Sequence, residues 1–254
     1  MPVTYDALED EFGDVVGKSR RGQELSVNEL SSKTGITTGV LEAIEAYEGP
    51  TDDGTVQSLA DALGLHAGKL QNSARSAFFP ADPHPQGERS AGLEVRMLVL
   101  GTDFLMNGYL AICRHTRHAA VIDPGFQAER ILQAVRLARV EVQSVWLTHG
   151  HNDHVGALDA VADATGAEAA ICAADLELAG DKVRYIGQRL IPGGQVRVGE
   201  QVFDVRATAG HTAGGVTLVH AEGTAFVGDA LFAGSLGGTR RRDGYDGQRA
   251  AVAR

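Results

Sequence analysis

Residues 148–154 read Thr-His-Gly-His-Asn-Asp-His and place His149, His151, Asp153 and His154 within six positions. Imidazole nitrogen and aspartate oxygen are the ligands zinc accepts at catalytic sites, where one position stays open for water. The competing reading is a solvated polar loop with fortuitous histidines. It is disfavoured by Val142–Thr148, an apolar run that reads as a buried strand delivering the histidines at its C-terminal end. His211 sits in Ala209-Gly-His-Thr-Ala-Gly-Gly215, after the strand-like Gln201–Ala209. Asp229 sits in Val227-Gly-Asp-Ala-Leu-Phe232, after the strand-like Thr224–Val227. Each lies just past a strand, beside glycines that let the backbone turn sharply. Alone, either residue reads as structural; following the 149–154 cluster in order, both read as metal ligands.

From about Leu93 to Gly238 the chain resembles the metallo-β-lactamase superfamily, and within it the glyoxalase II-like hydrolases. The resemblance rests on Ala120-Val-Ile-Asp-Pro-Gly125, the Thr148–His154 motif, Gly210-His-Thr-Ala-Gly214 and Gly228-Asp-Ala-Leu-Phe-Ala-Gly234. It implies an α/β fold, the αββα metallo-β-lactamase sandwich. Carried over residue by residue, it implies that His149, His151 and His211 hold one metal. Asp153 and His154 would hold a second, with Asp229 bridging the two. The implied cofactor is Zn2+, one or two ions, with iron or manganese as alternatives.

The chain also departs from that pattern. The family carries a further histidine, in a Gly-His context, as the last ligand of the second metal, and here no histidine follows His220 before Arg254. The run after Gly238, Thr-Arg-Arg-Arg-Asp-Gly-Tyr-Asp-Gly-Gln-Arg, differs from the family as well. The expectation is a complete first metal set and a second short of one protein ligand. Water fills that gap, or the chain is a truncated product whose sandwich lacks its C-terminal elements.

A water between two cations loses its proton near neutral pH, and the resulting metal-bound hydroxide attacks an ester, thioester or amide carbonyl. Asp153 would act catalytically by orienting that hydroxide, and Asp229 would fix the metal spacing. No protein nucleophile is required. Cys113, in the apolar run Tyr109–Cys113, and Cys172, in Ala169–Ala173, read as buried strand residues.

A length of 254 residues allows one large or two modest domains, and 43% hydrophobic content with 32 glycines suits a globular α/β protein rich in tight turns. Two strand-type cysteines give no disulfide framework, which fits a reducing, cytoplasmic setting. The acidic start Met-Pro-Val-Thr-Tyr-Asp-Ala-Leu-Glu-Asp-Glu does not read as a secretory signal, and no run of about twenty apolar residues spans a membrane.

Asn72–Gly92, with Phe-Phe-Pro-Ala-Asp-Pro-His-Pro-Gln-Gly at its centre, reads as a linker. The expected division is a helical domain over 1–71, a linker over 72–92 and the sandwich domain over 93–254. Ser26 with Glu29 three residues on forms a capping-box pattern opening a helix. A further helix over Gly54–Leu63 carries Val56, Leu59, Ala60 and Leu63 on one face. The stretch Gly17–Leu70 resembles the phage-repressor type of helix-turn-helix domain, on Leu25-Ser-Val-Asn-Glu-Leu, Thr34-Gly-Ile-Thr, Leu41-Glu-Ala-Ile-Glu and Leu59-Ala-Asp-Ala-Leu-Gly-Leu65. The resemblance implies that the helix beginning near Thr37 reads the DNA major groove. Electrostatics oppose that role. Through Arg75 there are six Lys and Arg against thirteen Asp and Glu, a net charge of −7 out of the chain's −10. DNA affinity rests on cations neutralising phosphates. Contact with a protein partner, or homo-oligomerisation through this domain, is therefore preferred to nucleic-acid binding.

Smaller clusters read as structural. Arg114-His-Thr-Arg-His118 falls between strands as a solvated turn, Thr239-Arg-Arg-Arg242 as a solvated basic face, His66 as solvent-facing or a helix cap, and His84 has no ligand-type neighbour. The first functional expectation is a metal-dependent hydrolase acting on a small-molecule thioester or related acyl substrate. The second is an iron-dependent, persulfide dioxygenase-like oxidoreductase needing chiefly His149, His211 and Asp229. The third is a DNA- or partner-binding regulator with a degenerate hydrolase domain.

Overall fold

Ser26 accepts a hydrogen bond from the Glu29 amide while Glu29 accepts from the Ser26 amide, the reciprocal pair that starts a helix. The computed structural model describes residues 8–80, 86–88 and 92–254. Its described residues divide into two compact units, one over 86–88 and 92–228, the other over 8–80 and 229–254.

The second unit begins with five helices: α1 (Phe12–Gly22), α2 (Val27–Thr34), α3 (Thr38–Glu45), α4 (Asp53–Leu63) and α5 (Ala67–Ala74). Apolar residues at helical spacing bury Val16, Leu30, Leu41, Ile44, Val56, Leu59, Leu63 and Leu70 in one core. His66 caps α5, its ring accepting from the Lys69 amide. Arg20 places Nε 2.6 Å and Nη2 2.8 Å from the two Glu45 oxygens, and Arg21 adds a contact at 3.1 Å. Arg20 and Glu45 are both largely shielded from solvent. Glu45→Ala is expected to lower the unfolding free energy of this unit by about 2 kcal/mol, the scale of charged hydrogen bonds whose partner stays behind. Urea denaturation checks this; a change below about 0.5 kcal/mol would put the pair with ordinary surface pairs.

In the first unit a seven-stranded sheet runs in chain order: β1 (Gln86–Glu88), β2 (Leu93–Gly101), β3 (Leu105–Cys113), β4 (His118–Ile122), β5 (Glu141–Trp146), β6 (Glu168–Ile171) and β7 (Ile186–Arg189). Strands β1 to β4 pair antiparallel, and β4 to β7 pair parallel. Parallel neighbours need crossovers. These are α6 (Ala128–Ala138) between β4 and β5, and the pair α7 (Asn152–Val155) and α8 (Leu158–Thr165) between β5 and β6. A second sheet, all antiparallel, has the order β11-β10-β9-β8, with β8 (Gln195–Val198), β9 (Gln201–Ala207), β10 (Val216–His220) and β11 (Ala225–Phe226).

One face of the large sheet packs against α6 and α8 through Leu110, Ile112, Val121, Ile131, Val145, Leu158 and Val161. The other face meets the small sheet through Val95, Ala120, Ile122, Trp146, Phe203, Val205, Leu218 and Phe226. Trp146 and Phe203 meet edge-on with ring centroids 5.4 Å apart. The described residues of this unit thus stack as helix, mixed sheet and antiparallel sheet.

The segment 229–254 holds β12 (Leu231–Phe232), β13 (Ser235–Leu236) and α9 (Arg242–Val252). Its contacts group it with the five helices. Ser235 bonds Asp10, Lys18 lies over the Phe232 ring, and the fully buried Gln248 donates to the Ala230 and Gly237 carbonyls. Side-chain complementarity over more than 200 positions of sequence separation decides this, and no local pattern encodes it. The expected linker over 72–92 differs: α5 continues to Ala74, and residues 86–88 pair with β2. Its residues 81–85, His84 among them, and 89–91 lie outside the described residues.

Candidate metal centre

The carboxyl ends of three adjacent parallel strands deliver the polar residues of the site, the place where open α/β sheets put their ligands. After β4 comes Asp123, after β5 come Thr148 to His154, and after β6 comes Asp175. The run read from sequence as a strand to Thr148 leaves the β ladder two residues earlier, at Trp146. Thr148 is instead captured by Asp123, whose two oxygens accept from the Thr148 amide and hydroxyl, each at 2.7 Å. Asp153 and His154 ride on the single turn α7 rather than a loop. His211 comes from the second sheet, in the turn joining β9 to β10.

The structure brings His149, His151 and His211 together, one ring nitrogen from each lying within 4.8 Å of the others. His151 Nδ1 and His211 Nε2 are 2.9 Å apart, and the His149 ring centroid lies 4.9 Å from that of His151 and 5.2 Å from that of His211. Nitrogens on one tetrahedral zinc, bonded at about 2.0–2.1 Å, sit roughly 3.3 Å apart. Three neutral imidazoles with this convergence fit such an ion after small ring movements, and they suit zinc or iron equally in donor type. His149 is buried, whereas His151 and His211 are half-buried, so the trio opens toward solvent on one side.

Behind the histidines a hydrogen-bond chain orients two of the rings. The Thr148 hydroxyl donates to Asp123 Oδ2, so its lone pair faces His149 Nδ1 at 3.2 Å as an acceptor. Asp123 Oδ2 also faces His154 Nδ1 at 3.0 Å. A carboxylate can only accept, so His154 Nδ1 carries a hydrogen, and His149 Nδ1 carries one for the Thr148 oxygen. In its neutral form each ring so held presents an unprotonated Nε2, the form a metal requires. His154 Nε2 lies 3.5 Å from Asp153 Oδ2. Asp229 follows Gly228, the last residue of the first unit. Gly228 has a φ of 49° and lies so close to Thr148 that an added Cβ would come within 2.2 Å of its hydroxyl oxygen. Only glycine tolerates both the conformation and the approach.

Sequence reasoning missed two contributors. Asp123 stood inside the quoted Ile122-Asp-Pro-Gly motif without a role, although a carboxylate just past a strand end was a readable signal. Asp175 is fully buried, and its carboxylate accepts from the Gly150 amide at 3.1 Å and the Gly214 amide at 2.6 Å. Nothing near it in sequence marked it. The remaining polar clusters lie apart from the site chemistry. His115 pairs with Glu200 on the surface, and Arg241 and Arg242 pair with Asp243 and Asp246 one turn or less away. Cys113 is buried at the end of β3, and Cys172 follows β6 half-buried.

The family described as the metallo-beta-lactamase superfamily matches residues 103–253. A hydroxyacylglutathione hydrolase of Rhodospirillum rubrum is 36% identical over 143 residues, covering 55% of this chain and 52% of that protein. The chain spans about half the length of the curated relatives it matches first. Among solved structures, ETHE1 from Myxococcus xanthus superposes with a TM-score of 0.52 at 27% identity, covering 63% of this chain and 68% of that one. The structure of TTHA1623 in a di-iron-bound form superposes with a TM-score of 0.51 at 26% identity, covering 62% of this chain and 85% of that one.

Proposed function

The chain belongs to the metallo-beta-lactamase superfamily, and from that premise we propose that it is a metal-dependent hydrolase of the glyoxalase II kind, acting on a thioester or related acyl substrate. The convergence of His149, His151 and His211 at the sheet's carboxyl edge carries this reading. The relatives named hydroxyacylglutathione hydrolases support the substrate class, since hydroxyacylglutathione is itself a thioester.

In this reading His149, His151 and His211 would hold one zinc, and Asp153, His154 and Asp229 would serve a second, Asp229 being shared between them. The bound metal supplies an acidified water and polarisation of the acyl carbonyl. Asp153, half-buried at the start of α7, would orient the attacking water. Asp123 and Thr148 keep His154 and His149 in the ligand tautomer throughout. No described helix is long and apolar enough to cross a membrane. A cytoplasmic setting is proposed from the two free cysteines.

The test is metal content per chain in purified protein by elemental mass spectrometry, paired with acyl-glutathione hydrolysis before and after chelation. One or two zinc ions and chelator-sensitive hydrolysis are expected; hydrolysis that persists in metal-free protein would overturn the proposal. The likeness to the ETHE1 and di-iron structures favours a second reading, an iron-dependent, persulfide dioxygenase-like oxidation. Iron in the purified protein with oxygen uptake on a persulfide, and no thioesterase activity, selects it.

The five N-terminal helices are proposed to form a helix-turn-helix domain of the phage-repressor kind that contacts a protein partner or a second copy rather than DNA. Besides the charge of −7, the basic end of α1 is already engaged: Arg20 and Arg21 both bind Glu45 on α3, the helix that would enter the groove. Duplex binding that weakens steeply with salt would reverse this preference.

A further inference from the structure

The two loops that carry the metal-binding trio leave different sheets. His149 and His151 follow β5 of the large sheet, and His211 lies between β9 and β10 of the small one. Three nitrogens on separate loops bind one ion tightly only if the loops are held at a set separation before the ion arrives. Asp175 spans them. Its Oδ2 accepts from the amide of Gly150, between the two histidines, and its Oδ1 from the amide of Gly214, three residues beyond His211. The carboxylate is fully buried, and its own amide donates to the Cys172 carbonyl at 3.0 Å, anchoring it to the end of β6. Hydrogen bonds to an ionised acceptor are shorter and about twice as strong as neutral ones. Gly214 packs so closely that an added Cβ would lie 2.7 Å from the Asp175 carboxyl carbon. The contact therefore constrains the residue type on both sides.

We propose that Asp175 is a positioning residue that clamps the His149–His151 loop to the His211 loop and thereby sets the metal affinity of the trio, an inference that rests on these three histidines being metal ligands. Its carboxylate is engaged by the two backbone amides and not by the imidazoles. Losing such a support typically weakens metal binding by about 10–100-fold. Asparagine does not replace it, because its single acceptor oxygen leaves an NH2 group facing one of the two backbone amides.

The experiment measures zinc affinity of the full chain by competition with a chromophoric chelator, for wild type, Asp175→Asn and Gly214→Ala. Visible spectra of the cobalt-substituted proteins and circular dichroism of the metal-free ones accompany it. Both variants are expected to bind zinc about 10–100-fold more weakly, with a shifted cobalt spectrum and unchanged secondary structure. Gly214→Ala tests the clamp from the opposite side, since its methyl group displaces the carboxylate. Wild-type affinity and an unshifted cobalt spectrum in both variants would overturn the clamp while leaving the metal trio standing. A wild-type chain that takes up neither zinc nor cobalt would overturn both.

Discussion

Replacing His151 with alanine is expected to lower metal affinity by about 10²- to 10³-fold and to reduce thioester hydrolysis to background. Zinc held by a full set of protein ligands gains on the order of 10 kcal/mol, so losing one of three imidazoles forfeits roughly 3 kcal/mol. His151 is the residue to remove because it is half-buried on a loop and makes its close ring contact with His211. Its loss should disturb the fold little, and the effect isolates ligation. Elemental analysis after gel filtration and initial rates on an acyl-glutathione thioester measure the two consequences. Retained zinc at wild-type stoichiometry with full activity would remove the trio from the chemistry.

The second large effect falls on stability. Asp123→Ala is expected to cost about 4 kcal/mol, because three buried groups lose their acceptor together: the Thr148 amide, the Thr148 hydroxyl and His154 Nδ1. Each buried group left unsatisfied costs about 1–3 kcal/mol. Domains are stable by only about 5–15 kcal/mol, so the variant should lie near the edge of folding. Asp123 is 1% exposed, which leaves water little room to substitute for the carboxylate. Guanidinium denaturation of metal-free protein reads the loss directly; a midpoint within error of wild type would show that the network is relayed by other groups. The contrast with His151→Ala is diagnostic. One variant is expected to lose metal and keep its fold, and the other to lose the frame on which the histidines stand.

Much of this architecture is legible locally. The apolar residues before His149 mark β5, which alternates exposed and buried over Glu141–Ser144 and is buried on both faces only at its end, Ser144–Trp146. Ser26 and Glu29 announce α2 because capping is a contact between residues three apart. Glycines beside His211 and Asp229 mark sharp turns after strands. Boundaries were less legible: Thr148 is as apolar in context as a strand residue, but the buried Asp123 carboxylate competes for its amide and draws it out of the ladder. The contacts that 229–254 makes with the N-terminal helices were not legible, since Ser235 finds Asp10 across the length of the chain.

Residue types and their order thus determined the chemistry available to this protein: imidazoles and carboxylates that follow strands, a helical N-terminal region and an acidic surface charge. Those are properties of neighbours in sequence, carried by periodicity and spacing. Tertiary structure decided which imidazoles converge, which nitrogens keep a lone pair, and that Asp123 and Asp175 stand behind them. Such relations join the ends of strands β4, β5 and β6 with a turn from another sheet, and only a folded backbone brings those ends to within a hydrogen bond of one another.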